Sequence, residues 1–132
     1  MSRRLLLVDD DDDIRTIARL TLERLGDWTV SDAASGELAL DIAMTAGPFD
    51  AVLLDVMMPG LDGPATLERM RQGTLPDTTP VIFLTAKSQR AERERLHALG
   101  VAGTIAKPFD PVALPAEIDR VLAAATHEET AR

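Results

Sequence analysis

The chain has 132 residues, about 0.9 of a typical domain length, so a single compact domain is expected and a second folded module has no room. Its 14 Lys and Arg against 22 Asp and Glu give a net charge of −8 and a pI near 4.6, which argues against broad electrostatic binding of nucleic acid or anionic lipid. With 45% hydrophobic and 27% charged residues the composition is that of an ordinary globule, and zero cysteines exclude disulfides, thiolate-bound zinc, iron–sulfur clusters and thiol catalysis.

Absence of cysteine fits a reducing compartment, and the expected location is the cytoplasm. The apolar run Leu5 to Val8 is too short for a signal-peptide core or for the ~20 apolar residues of a membrane span. That run and two others, Ala51 to Leu54 and Val81 to Leu84, suit strands buried on both faces, the condition of a parallel sheet between helical layers. Trp28-Thr29-Val30 and Gly103 to Ala106 are two weaker strand candidates, making five.

Helical spacing fills the intervals. The first helix carries Ile14, Ile17, Ala18, Leu22 and Leu25 on one stripe, behind an acidic start and before Gly26. The second opens at Ser35-Gly36-Glu37 and carries Leu38, Leu40, Ile42, Ala43 and Met44 before Gly47-Pro48. Pro64 to Met70 is a short third helix, Ser88 to Leu99 a charged fourth ended by Gly100, and Pro111 to about residue 125 a fifth. Pro115 either marks the true first turn of that last helix or kinks one begun at Asp110-Pro111, and residues 126–132 read as a fraying tail after a domain spanning 1–125. Met44 and Met70 are read as core fillers, and His97 and His127 are assigned no role.

A strand and a helix alternating five times give an α/β fold with right-handed crossovers and helices on both faces of the sheet. In such sheets ligands sit beyond the carboxyl ends of the strands. Those ends carry Asp9 to Asp13 after the first strand, Asp55 after the third, Thr85 after the fourth and Lys107-Pro108 after the fifth. Carboxylates converging in one cleft repel each other unless a cation joins them, and a small hard dication such as Mg²⁺ with oxygen ligands answers that need. Asp11, Asp12 and Asp13 are read more simply as an acidic helix start favoured by the macrodipole.

The residues 5–10 (Leu-Leu-Leu-Val-Asp-Asp), 53–63 (Leu-Leu-Asp-Val-Met-Met-Pro-Gly-Leu-Asp-Gly), 83–87 (Phe-Leu-Thr-Ala-Lys) and 107–109 (Lys-Pro-Phe) stand in order just beyond predicted strands. Together they resemble the receiver domain of two-component response regulators, over Leu5 to about Ala124. The resemblance implies a doubly wound, flavodoxin-like (βα)5 fold with a five-stranded parallel sheet of order 2-1-3-4-5. It implies that Asp55 accepts a phosphoryl group from a phosphohistidine of a sensor histidine kinase or phosphotransfer protein, with Mg²⁺ held by Asp9, Asp10, Asp55 and the backbone carbonyl of Met57. Thr85 and Lys107 then contact phosphoryl oxygens, and the Lys107-Pro108 bond is expected to be cis. Gly60 and Gly63 are expected at positive-φ corners of the loop after Asp55.

The same resemblance makes the fourth helix, fifth strand and fifth helix the face for a downstream effector protein, and is compatible with a phosphorylation-dependent dimer, without direct nucleic-acid or membrane contact. Members of the family often carry an aromatic residue where this chain has Thr104, so a ring flip cannot be its switch. Met57 and Lys87 occupy positions that set phosphoryl lifetime in that family, with no clear direction here. A stand-alone receiver is the leading expectation, and an excised receiver of a larger regulator the close alternative. A Mg²⁺-dependent phosphatase with a phosphoaspartate intermediate is a third reading, because Asp9 and Asp11 mimic its spacing, although the length leaves no capping segment. A receiver-like fold that only binds partners would be expected to have lost Asp10, Asp55 or Lys107, and all are present.

Overall fold

A computed structural model describes residues 2–73, 75–87 and 89–131, with 127–131 as backbone only. In chain order the elements are β1 (Arg3–Val8), α1 (Asp12–Leu25), β2 (Trp28–Ala33), α2 (Gly36–Ala46), β3 (Ala51–Asp55), α3 (Gly63–Gln72), β4 (Val81–Thr85), α4 (Arg90–His97), β5 (Gly103–Ala106) and α5 (Leu114–Ala131). The five strands form one parallel sheet in the order β2-β1-β3-β4-β5, as the resemblance implied.

The continuous apolar runs are strands because both faces of the sheet are covered. Alternate residues divide between two cores. Leu6, Val8, Val52, Leu54 and Phe83 pack with Ala39, Ala43, Leu67, Met70 and Leu96 of α2, α3 and α4. Leu5, Leu7, Leu53, Ile82, Leu84 and Ile105 pack with Ala18 and Leu22 of α1 and Leu114, Ile118 and Val121 of α5. Each such leucine withdrawn from water contributes roughly 1.5–3 kcal/mol, which makes the three central strands the main source of stability.

Register places the site. Val8 pairs with Leu54, so the next residues, Asp9 and Asp55, stand at one level at the carboxyl edge of the sheet, where Asp55 still pairs with Leu84. Thr85 lies one step further and pairs with Ala106, the residue before Lys107.

Several boundaries and faces differ from the sequence expectations. β2 runs on to Ala33, because Ser31 and Asp32 still pair with Leu6 and Leu7 of β1. The α1 stripe is narrower than predicted: Ala18 and Leu22 are buried, whereas Ile17 and Leu25 are exposed. In α2 the small residues Ala39 and Ala43, one turn apart, face the core. Met44 lies about 100° further around the helix and is 64% exposed, so it is not a core filler, while Met70 is. The fourth helix is shorter than predicted, spanning Arg90–His97, and the part of the prediction at Ser88 lies outside the described residues. Pro115 is the second residue of α5, after a turn at Asp110 to Ala113, which settles it as a first-turn proline. The helix then continues to Ala131, through residues read from the sequence as a tail. Among the described residues no helix is long and apolar enough to cross a membrane.

Candidate functional site

Asp9 is fully buried, and each of its polar groups has a partner. Its amide donates to the Ala33 carbonyl at 3.2 Å, and its own carbonyl accepts from Arg15 Nη1 at 2.8 Å. Oδ1 accepts from the Asp11 amide at 2.9 Å, and Oδ2 accepts from Lys107 Nζ at 2.9 Å. Asp10, one residue on, is exposed. Asp55 ends β3 at 4% exposure, with Oδ2 3.3 Å from the same Lys107 ammonium. Carboxylate oxygens of Asp9, Asp10 and Asp55 lie within 4.8 Å of one another.

The electrostatics follow from that packing. Burial, and then the charge of Asp9, push the Asp55 carboxyl up to about 6, against the pull of Lys107 and the Met57 amide. Burial also works against the Lys107 ammonium. The hydrogen bond and charge of Asp9, joined by those of Asp55, outweigh it and hold the amine above the usual lysine range. One ammonium thus lies between two buried carboxylates, and a third carboxylate faces solvent beside them. Three hard oxygen donors with no nitrogen or sulfur suit Mg²⁺, Ca²⁺ or Mn²⁺ rather than zinc or copper.

The loop after β3 is shaped to pass close to this cluster. Gly60 has φ +74°, the left-handed region, and the Leu61 amide donates to Glu37 Oε1 of α2 at 3.3 Å. Gly63 was expected at a positive φ and is not there; glycine is needed instead because a Cβ would press on the Asp55 carbonyl oxygen and come 2.9 Å from Val56 Cα. Asp62 caps α3 through the Ala65 amide at 2.9 Å. Met57 is 66% exposed, and its backbone amide hydrogen-bonds the Asp55 carboxylate.

Thr85 is buried at the end of β4. Its Oγ1 accepts from the Lys87 amide at 3.0 Å and donates to the Lys87 carbonyl at 3.1 Å, so the hydroxyl is engaged with the β4–α4 loop. The Lys107-Pro108 bond is cis, and so is Gly47-Pro48, which the sequence did not suggest. Thr104 pairs with Phe83 within the sheet.

Asp11, Asp12 and Asp13 form the acidic helix start read from the sequence. Asp11 is the N-cap of α1, accepting from the amides of Asp13 and Ile14, and Asp12 and Asp13 fill the first turn. Asp11 therefore lacks the cleft position that a phosphatase spacing with Asp9 requires. Arg15 and Glu37, which grip the two loops of the site, were not foreseen. For Arg15 a signal existed: an arginine in the opening turns of a helix opposes the macrodipole, and a residue that breaks a local rule marks a place where another requirement prevails.

Residues 5–119 match the response regulator receiver domain family. The alkaline phosphatase synthesis transcriptional regulatory protein PhoP of Bacillus subtilis is 37% identical over 122 residues, covering 92% of this chain and 49% of the relative. Response regulator Rre1 of Synechocystis is 36% identical over 119 residues, covering 90% of this chain and 51% of the relative. The chain thus spans about half the length of the curated relatives it matches. Among solved structures, the chemotaxis response regulator CheY4 of Vibrio cholerae superimposes with a TM-score of 0.84 at 31% identity, over 92% of this chain and all of that one. Response regulator DrrB of Thermotoga maritima gives 0.77 at 29% identity, over 93% of this chain and 54% of that one. An acidic cleft at the carboxyl edge of a 2-1-3-4-5 sheet, with this sequence match along nearly its whole length, makes the chain a member of the response regulator receiver domain family, the phosphorylation-switched signalling domain of two-component systems.

Proposed function

We propose that Asp55 is the phosphoryl acceptor, and that a sensor histidine kinase or a phosphotransfer protein is the donor. An ionised Asp55 oxygen attacks phosphorus, forming a P–O bond as the P–N bond to the donor imidazole breaks, and the imidazole nitrogen keeps that electron pair and takes up a proton. The observation that carries the reading is the burial of Asp55 beside Asp9, with a lysine ammonium 3.3 Å away: a single nucleophile with the counter-charge already in place.

Asp9, Asp10 and Asp55, with the carbonyl of Met57, would hold Mg²⁺. That ion, when bound, supplies positive charge against the oxygens of the transferring phosphoryl group. Lys107 is free to turn from Asp55 toward a phosphoryl oxygen while Asp9 continues to anchor it, because it already touches both carboxylates. Thr85 releases the Lys87 carbonyl and donates its hydroxyl to another oxygen, which draws the β4–α4 loop inward. With Thr104 in place of an aromatic ring, that loop is the connection from Asp55 to the α4–β5–α5 face, where a downstream effector or a second receiver would dock. The apolar ledge of Ile14, Ile17, Pro108, Phe109 and Pro111 beside Lys107 offers a resting place for the donor protein.

Treatment with a small-molecule phosphodonor and Mg²⁺, followed by intact-mass measurement and peptide mapping, should give one phosphoryl group per chain, on Asp55. Asp55→Asn should take up none. Lys107→Ala should take up phosphoryl without the conformational response seen in the wild type. Label on Asp9, or catalytic release of phosphate from many substrates, would instead establish the phosphatase reading.

A further inference from the structure

We infer that Arg15 is a positioning residue for the metal-binding carboxylates: its guanidinium fixes the Asp9 main chain and thereby sets the directions of the Asp9 and Asp10 side chains. The inference rests on the Mg²⁺-dependent reading above.

The Asp9 carbonyl lies one residue past the end of β1, where the sheet supplies no amide for it. A buried carbonyl without a donor is costly, and the donor here is Arg15 Nη1 at 2.8 Å. Asp10 follows directly on that peptide group. It is exposed and has no sheet pairing of its own, so its direction is inherited from Asp9.

Arg15 is itself held from two further sides. Nη2 bonds Asp12 Oδ1 at 2.5 Å, and Nε lies 3.4 Å from Asp32 Oδ2 on β2, with the side chain only 15% exposed. The other oxygen of Asp32 accepts from Arg19 at 3.1 Å, Arg19 lies 3.5 Å from Glu23, and Glu23 accepts from the Val30 amide at 3.2 Å. Charges of alternating sign therefore run along α1 from the β2 main chain to the Asp9 carbonyl. A planar fork reaching three partners explains arginine where lysine, a single point charge, could not serve all of them.

Coulomb's law makes the idea testable by sign. A cation near a Mg²⁺ site repels the metal, so if Arg15 acted only through its charge, removing it would tighten Mg²⁺ binding. If it positions the carboxylates, removing it weakens binding, and loss of groups that orient metal ligands typically costs about 10–100-fold in affinity.

The experiment is calorimetric titration of Mg²⁺ into wild type, Arg15→Met, Arg15→Lys and Asp32→Asn, at a temperature where each is folded by circular dichroism. Amide exchange of Asp11, whose N–H donates to Asp9 Oδ1, is measured in parallel without metal. The expected result is a Mg²⁺ dissociation constant raised at least ~10-fold in Arg15→Met, less in Arg15→Lys and in Asp32→Asn, with faster Asp11 exchange in the same order. Phosphorylation should then require more Mg²⁺ yet approach the wild-type rate at saturation. Unchanged or tighter Mg²⁺ binding in Arg15→Met, or wild-type behaviour of Arg15→Lys, would overturn the inference. If Arg15→Met does not fold, Arg15→Lys, which keeps the charge, decides on the same two readouts, and Asp32→Asn, which removes an anion, decides on Asp11 exchange alone. Wild-type protein that binds no Mg²⁺ would count against the parent reading instead, leaving Asp11 exchange to decide whether Arg15 fixes Asp9.

Discussion

Asp55 sits at 4% exposure beside a second buried carboxylate, and a carboxyl held at about 6, above the ordinary aspartate value of 3.8, has a stability consequence of definite sign. Below pH 3.8 both folded and unfolded chains hold the proton, and the group contributes nothing. Between 3.8 and 6 the unfolded chain releases it first, so stability falls as pH rises, and above 6 the full cost is present. The difference between 3.8 and about 6 corresponds to roughly 3 kcal/mol. Asp55→Asn should therefore stabilise the metal-free protein by up to roughly 3 kcal/mol at pH 8, with the gain vanishing near pH 4, as urea unfolding in chelator at both pH values will show. Lys107→Met should act in the opposite direction. It leaves Asp9 and Asp55 without their shared counter-charge and should cost about 3 kcal/mol at pH 8, less in acid where Asp55 is protonated.

At the scale of elements, the β3–α3 connection shows how packing rather than conformational preference selects a residue. Gly63 opens α3 directly over the Asp55 carbonyl, and its amide donates to the Val56 carbonyl at 2.9 Å, so helix and phosphoacceptor strand approach as closely as a missing Cβ permits. Gly63→Ala should push α3 away at a cost of about 1–3 kcal/mol and weaken Mg²⁺ binding, because the Met57 carbonyl shifts with the loop. Gly73→Ala is the control: its Cβ would come no nearer than 3.4 Å to the Arg69 carbonyl, and it should behave as wild type in both measurements. The sequence pointed to a glycine at position 63 for the wrong reason, since a turn motif suggests a positive φ whereas close approach leaves no local mark. Strands were readable because Leu5 to Val8, Ala51 to Leu54 and Val81 to Leu84 are buried on both faces and so are apolar throughout. Helix faces were less so: α2 meets the sheet through Ala39 and Ala43, and small contact residues give the larger Leu38 and Met44 a false claim to the core.

Over the whole molecule, Asp9, Asp10, Asp55 and Lys107 could be gathered on paper because a parallel sheet collects the residues after each strand at one edge. Arg15 was marked only by its charge in the opening turns of α1; its partner, a main-chain carbonyl six residues away, is a contact that no side-chain periodicity records. The cleft that results concentrates negative charge in a chain whose net charge is already −8, with one lysine to balance two buried carboxylates. A dication entering it relieves repulsion that the unfolded chain does not suffer, so it binds the folded state and stabilises it by mass action. At a free Mg²⁺ concentration 100 times the dissociation constant, the gain is about 2.7 kcal/mol, or roughly 10 °C in melting temperature for a domain of this size. Calorimetric melting at pH 7.5 should show that rise, its reversal by chelator, and a much smaller rise for Asp10→Asn, whose exposed side chain contributes little to the fold without metal. At pH 4.5 the wild-type rise should shrink, because Asp55 then holds a proton and metal binding must displace it. Equal Mg²⁺ stabilisation at both pH values would mean that Asp55 is not among the ligands.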